Sequence, residues 1–420
     1  MKPFRVVLIV LICLVASTVT AQKYIGGDIS LLPRYEESGA TYFDIKGSSI
    51  SAPLTFFKQQ GMNGMRLRLF VDPSKASTVD KGQGVCQDLA YVIALGKRIK
   101  AAGMSLVLDF HYSDSWADPS KQWIPDDWTT LSDNDLYTKI YTYTKDVLMQ
   151  MTAEDATPDF IQIGNEISNG ILWGKEGITS QKKCDTNSTN NWSYFTTLLK
   201  MAGKACREVC PQAKIIIHTE RVAQADILKG FYDNMKTYSV DYDIIGLSYY
   251  PIYHGSMSNL NAALTMLENN YPDKNIMIVE TGYYHDWQPS NPTYDLSDTY
   301  PITPEGQQAF TEAVIQTLNN HPKVNGLFWW WMEANEKGLD WNTKRVTDNW
   351  YNAGLFDNQT GKAEPALYYM KKFLENIDGI AQTNFTCLEP KEWYSLSGSI
   401  VTYPKQKGIY ITKGKKLAVK

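Results

Sequence analysis

Two glutamates, Glu166 and Glu280, stand where apolar segments stop and polar ones begin. The first closes FIQIGNE, with the amide of Asn165 beside it, and the second closes IMIVE ahead of TGYY. A carboxyl at the end of a buried strand is desolvated, which raises its pKa unless a cation or hydrogen-bond donors offset the effect. One protonated and one ionised carboxyl form the pair that splits a glycosidic bond. The acid protonates the leaving oxygen, and the carboxylate attacks the anomeric carbon or activates water. A carboxyl separation of about 5–5.5 Å would give retention and a wider one inversion; spacing along the chain leaves both open. The plain structural alternative is that each glutamate pairs with an arginine. Two such glutamates, with Arg, His and Tyr at neighbouring strand ends, weigh against it.

The residues that would serve this pair recur at other strand ends. Arg66 and Arg68 alternate with apolar residues in GMRLRLF and so share one strand face. One of them is expected to point inward and hold the attacking carboxylate ionised, the other to make a structural salt bridge. Asp109 and His111 close the next run in LVLDFHYSD, where His111 is placed to bind a sugar hydroxyl or to be satisfied within the rim. Tyr250 is placed to hydrogen-bond Glu280. Trp116, Trp128, Trp173 and Trp330 are candidate sugar platforms, since flat rings pack on apolar sugar faces. Strand alternation predicts that Trp329, Trp330 and Trp331 do not all face one cleft.

Eight short apolar runs must position these groups: 24–29, 64–70, 105–110, 160–164, 214–218, 244–248, 276–279 and 326–330. Amphipathic stretches at 87–101, 135–151, 192–209, 225–238, 259–269, 304–319 and 365–375 lie between or after them. Runs this uniformly apolar fit a parallel sheet covered by helices on its faces. Eight βα units predict a (β/α)8 barrel, whose reactive residues gather at the C-terminal strand ends. A doubly wound sheet is the alternative, but no GxGxxG follows the first run.

The 420 residues carry a formal charge of −4 and no long basic block, which argues against nucleic acid as a partner. Lys2 and Arg5, the run VVLIVLICLVA and the small residues to Ala21 have the pattern of an export signal, residues 1–21. That run is too short to span a bilayer comfortably, so an exported protein of the periplasm, cell surface or medium is expected. Residues 22–376 would form the barrel, and 377–420 a small appendage of short strands and turns. Of six cysteines, Cys13 lies in the leader, leaving Cys86, Cys184, Cys206, Cys210 and Cys387. An oxidising compartment permits disulfides among them, and Cys206 and Cys210 lack a second Cys/His pair for a metal site. A monomer is the default expectation.

The segments GGDISLLPRYEESGATYFD, GMNGMRLRLFVDP, VLDFHYSDSWADPSKQ, FIQIGNEISNGILWG, IGLSYYPIYHG, IMIVETGYY and GLFWWW run in order from about residue 24 to 331, and NAGLFDNQTGKAEPAL extends them toward 370. Together they resemble glycoside hydrolase family 53, the arabinogalactan endo-β-1,4-galactanases. The resemblance implies a retaining mechanism, with Glu166 as acid/base and Glu280 as nucleophile. Asn165 would contact the hydroxyl beside the anomeric centre. It implies β-1,4-galactan, the side chains of pectin, as substrate, cut internally and without a cofactor. Some bacterial members carry calcium after the seventh strand. Their signature does not map onto HDWQPSNPTYDLSDTYPITPEGQ, where Asp286, Asp295 and Asp298 are the available ligands. The rivals are a barrel glycosidase acting on mannan or cellulose, a non-catalytic glycan-binding barrel, and a metal-dependent hydrolase. The binding protein would not need both glutamates. The metal enzyme needs clustered His ligands, and the five histidines show no HxH spacing.

Overall fold

The computed structural model describes residues 22–177, 182–184, 191–340, 345–348 and 351–375, and four short strands beyond residue 392. The expected leader and Cys387 lie outside the described residues. The chain divides into two compact units, Met1–Glu375 and Asn376–Lys420.

In the first unit eight parallel strands close into a barrel: β1 (Tyr24–Asp28), β2 (Gly64–Leu69), β3 (Ser105–Phe110), β4 (Phe160–Ile163), β5 (Lys214–Thr219), β6 (Ile244–Tyr249), β7 (Asn275–Thr281) and β8 (Val324–Trp329). Each strand pairs with its sequence neighbours, and β1 closes the ring on β8 with Tyr24 opposite Gly326. Gly26 allows the close approach of β1 to β2, because a Cβ there would lie 1.7 Å from the carbonyl oxygen of Gly64 on β2. The connecting helices are α1 (Pro53–Gln59), α2 (Leu89–Ala101), α3 (Asp133–Ala153), α4 (Trp192–Val209), α5 (Ala225–Thr237), α6 (Met257–Asn270) and α7 (Pro304–Asn319), with α8 (Pro365–Tyr369) after β8. Side chains start several of them. Asp88 accepts the Tyr91 N–H, Ser132 that of Asp135, and Thr303 that of Gly306. Helix α1 has no counterpart in the sequence reading, since seven residues are too few to display a helical period.

The barrel interior is split by height. Val107, Phe160, Ile216, Ile244, Met277, Val279 and Phe328 form an apolar plug of their own. The alternate residues of the same strands, such as Leu106, Ile161, Ile215 and Ile245, belong to the large core under the helices. Toward the C-terminal strand ends the inward positions turn polar: Asp28, Arg66, Arg68, Asp109, Gln162, His218 and Ser248, all buried. Two residues further along each strand the side chain returns to the same face, so the polar layer sits directly on the apolar one.

Strand β7 breaks this period. Leu247 pairs with Ile278, but the next pair is Ser248 with Glu280, so Val279 is an extra residue. Met277 and Val279 both face the interior plug, and strict alternation would send Glu280 outward. The bulge re-aims it inward, a familiar use of bulges beside active sites.

In the second unit Ile400–Val401, Trp393–Ser395, Gly408–Thr412 and Lys415–Val419 form an antiparallel four-stranded sheet in that order. Among the described residues Cys86, Cys206 and Cys210 form no disulfide. Cys206 and Cys210 lie buried near the end of α4, where Cys210 Sγ is 3.9 Å from the Thr152 hydroxyl.

Candidate active site

Arg66 lies at the centre of the polar layer, completely buried. Its Nη1 is 3.1 Å from Asp28 Oδ2, and its Nη2 is 2.8 Å from Asp109 Oδ2 and 2.9 Å from Glu280 Oε1. It also donates through Nη2 to Asn165 Oδ1 at 2.9 Å. Burial works against its charge, but Asp109, Glu280 and Asp28 outweigh this and raise its pKa, so it is a permanent cation. Asp109 is buried too, yet Arg66 and His111 hold its carboxyl below the usual carboxylate range.

Glu280 is gripped at both oxygens. The Tyr250 hydroxyl donates to Oε2 at 2.9 Å, and Ser248 Oγ lies 3.5 Å from the same oxygen. Arg66 faces Oε1, a close charge contact that is not an aligned hydrogen bond. Burial raises the Glu280 pKa to about 7; Arg66 and Tyr250 limit the rise, while Asp109 and Asp28 add to it. Glu166 has a different environment. Burial raises its pKa well above the usual range, and Glu280, the strongest of the charges acting on it, and then Glu220 raise it further; only a Ser248 hydrogen bond opposes them. The two carboxyls thus have unequal support for a negative charge, one with a guanidinium and a phenol, the other facing like charges.

Local backbone geometry aims Glu166. Strand β4 stops at Ile163, Gly164 takes φ 103°, and Glu166 itself is left-handed at φ 46°, ψ 54°. A non-glycine residue there is strained, and such strain collects at functional sites. The Glu166 N–H donates to His218 Nδ1 at 3.3 Å. That leaves the His218 proton on Nε2, which lies 2.8 Å from Ser248 Oγ. Burial and Arg66 lower the His218 pKa and keep the ring neutral.

Both glutamates line a cavity of about 610 Å³, together with Glu220, Arg221, Tyr250, Tyr253, His254, Tyr284, Trp330 and Tyr351. The expected sugar-contacting residues divide around it. Tyr250 and Trp330 are on the cavity wall. Asn165 lies just beneath, its Nδ2 donating to Ala117 O at 2.8 Å. Arg66 and Asp109 are set below it as charge partners rather than direct sugar contacts. His111 is buried; its Nδ1 accepts the Ala117 N–H at 3.0 Å, and its Nε2 lies 3.0 Å from Asp109. The Nε2 contact with Asp109 is a close approach without an aligned hydrogen bond. Trp128 and Trp173 do not line the cavity. Both are buried; Trp128 packs on Tyr143, and the Trp173 Nε1 donates to Asn169 O at 2.8 Å.

The three consecutive tryptophans depart from simple alternation. Trp329 ends β8 inside the core, donating to Ala353 O at 2.6 Å. Trp331 is left-handed at φ 45°, which turns it back beside Trp330, and the two rings stack at 5.7 Å and 12°. With Trp116 they enclose Arg68, whose guanidinium carbon is 4.9 Å, 4.7 Å and 5.3 Å from Trp116, Trp330 and Trp331. Arg68 pairs with Asp28 Oδ1 at 3.1 Å.

Sequence reasoning missed Asp28 and Gln162 as parts of the site. Asp28 had a readable signal, an acid closing β1 beside the two arginines of β2. Asp286, Asp295 and Asp298, the acids available in the loop after the seventh strand, form no group able to hold a cation among the described residues. Among the described residues the group able to hold a cation is His285, Asp357 and Glu364, with ligand atoms within 4.8 Å of one another.

A closed parallel barrel with two unequal carboxyls converging at its C-terminal rim defines a barrel glycoside hydrolase. The model of Glycosyl hydrolase family 53 matches residues 24–370, and the chain belongs to that family. An uncharacterized protein of Niallia circulans is 35% identical over 365 residues, covering 84% of this chain and 94% of its own. The probable arabinogalactan endo-beta-1,4-galactanase A of Neosartorya fischeri is 34% identical over 350 residues, 77% of this chain and 90% of its own. The solved GH53 catalytic domain of Ignisphaera aggregans superposes with a TM-score of 0.72 at 32% identity, covering 85% of this chain and 96% of that one.

Proposed function

We propose that this enzyme is an endo-β-1,4-galactanase that cuts (arabino)galactan side chains of pectin with retention of anomeric configuration. The observation that carries the mechanism is the unequal support of the two carboxyls. Glu280, held by Arg66 and Tyr250, is the nucleophile. Glu166, half-buried and facing the charges of Glu280 and Glu220, keeps its proton and gives it to the leaving oxygen. The glycosyl bond then forms between the anomeric carbon and a Glu280 oxygen. Glu166, now ionised, deprotonates the water that breaks that bond, and Glu280 returns as carboxylate. The dominance of Glu280 among the charges acting on Glu166 supports the close spacing that retention requires. Asn165 is proposed to reach the hydroxyl beside the anomeric centre, and Trp330 to carry a sugar face. No step requires a cofactor.

The substrate assignment rests on family membership and on relatives named as galactanases. Export by the N-terminal segment and action as a monomer complete the proposal. The test is sugar release from linear β-1,4-galactan by wild type, Glu166→Gln and Glu280→Gln, with β-mannan and carboxymethyl cellulose in parallel. Cleavage of galactan that falls by orders of magnitude in both variants is expected. Cleavage of mannan or cellulose alone overturns the substrate, and variants as active as wild type overturn the mechanism. NMR of the first-formed anomer decides retention.

A further inference from the structure

Glu220 is a third carboxyl in the cavity, and the mechanism above gives its side chain no contact with the sugar. It follows β5, next to the strand that carries Glu166. One of its oxygens is occupied: Oε1 accepts from Ser168 Oγ at 2.5 Å and is in ion-pair contact with Arg221 Nε at 2.8 Å. Its other oxygen, Oε2, is buried and has no hydrogen-bond partner among the described residues. The side chain as a whole is only 7% exposed, yet it forms part of the cavity wall. A buried carboxylate oxygen without a donor is costly, and the residue that carries it lines the cavity.

Its neighbours on that wall have the opposite polarity. Arg221 is fixed by Ser168 Oγ at 3.2 Å and Asn169 Oδ1 at 3.2 Å. His254 accepts the Tyr250 N–H at Nδ1, 2.9 Å away, so its ring proton sits on Nε2. An acceptor beside two donors, held rigidly by the segment that follows Glu166, complements vicinal hydroxyls. Position on the barrel says whose hydroxyls these are. The sugar attacked by Glu280 lies over that residue and Trp330. The sugar that departs hangs from the oxygen protonated by Glu166, and Ser168, two residues beyond Glu166, is the direct hydrogen-bond partner of Glu220.

We infer that Glu220 Oε2, with Arg221 and His254, forms the subsite for the departing galactosyl unit and accepts a hydrogen bond from one of its hydroxyls. The inference rests on the galactanase reading and adds a specificity-determining residue to it. Burial also raises the Glu220 pKa, as expected for an acceptor that waits for a donor.

Two substrates test it: β-1,4-galactotetraose, whose leaving group is a sugar, and an aryl β-1,4-galactobioside, whose leaving group has no hydroxyls. Glu220→Ala is expected to lower kcat/KM on the tetraose about 10- to 100-fold more than on the aryl substrate, the effect of a hydrogen bond to a charged group. Glu220→Gln, which keeps an acceptor oxygen and the side-chain shape, is expected to show the same preference at smaller size. It carries the test if the alanine variant fails to fold. Equal losses on both substrates, or a larger loss on the aryl one, overturn the inference, because Glu220 would then act through Glu166 or the fold. A wild type inert toward both substrates fails earlier and sinks the galactanase reading itself.

Discussion

Tyr250→Phe isolates one contact of the proposed nucleophile. The substitution deletes the hydroxyl that donates to Glu280 Oε2 at 2.9 Å and leaves the ring and the Arg66 contact on Oε1 in place. A hydrogen bond to an ionised group contributes about 1.5–3 kcal/mol, and one pKa unit corresponds to about 1.4 kcal/mol. The donor favours the charged form, so its loss must raise the Glu280 pKa, by roughly 1–2 units. The acid limb of kcat/KM against pH, which reports ionisation of the nucleophile in the free enzyme, should move upward by that amount. On that limb the variant should be about 10- to 100-fold slower than wild type, and the gap should close as the pH rises. Reducing-end release from linear galactan at a series of pH values measures it. A limb that stays in place or moves downward refutes the charge argument. An equal loss at every pH would show instead that Tyr250 only orients Glu280.

Other substitutions probe the layers beneath and beside this contact. Arg66→Met leaves Asp28, Asp109 and Glu280 without their shared cation; a loss of about 3–5 kcal/mol in urea unfolding is expected together with loss of activity, and a variant as stable as wild type would contradict the network. Trp330→Ala should raise KM on galactan about tenfold, the equivalent of about 1.4 kcal/mol, whereas a drop in melting temperature with unchanged KM would make Trp330 a packing residue. Glu333 is fully buried, accepts the Leu31 N–H at 2.8 Å, and burial and Asp28 push its pKa up from 4.5 to about 8. An acid raised on folding stabilises fully below its unfolded pKa and loses that contribution as pH rises through the folded one. Glu333 should therefore remove roughly 3–5 kcal/mol between about pH 4.5 and 8. Glu333→Gln should flatten this part of the stability curve in urea melts, and an unchanged slope would count against it.

Much of the barrel could be read from the chain because a doubly covered parallel strand needs uninterrupted apolar residues. All eight runs overlap observed strands, and the helices long enough to show a 3.6-residue period were visible. Helix α1 was too short to show one. Within the site, Glu166, Glu280, Arg66 and Tyr250 could be found because they interrupt or directly follow apolar runs. What stayed hidden depends on departures from regular geometry. The bulge at Val279 decides where Glu280 points, and the left-handed turn at Trp331 places two tryptophans side by side. Neither leaves a mark in a period-two pattern. The surroundings of His111 and Trp173 stayed hidden for another reason: an imidazole or indole reads the same in sequence whatever its nitrogens meet.

The left-handed residues Tyr112, Glu166 and Trp331 each fall just past the end of a barrel strand, at β3, β4 and β8. The ladder hydrogen bonds fix register up to that point and no further. Below it, Arg66, Asp109, Gln162 and His218 are locked into the pleat, where a one-residue slip would turn charge into the helical layer. Above it, side chains are aimed by single torsions and by short loops. An inserted or exchanged rim residue can therefore redraw the cavity wall without disturbing the charge pairs that set the protonation of the two glutamates. This separation lets sugar preference drift across descendants of one barrel while the bond-breaking machinery is inherited whole.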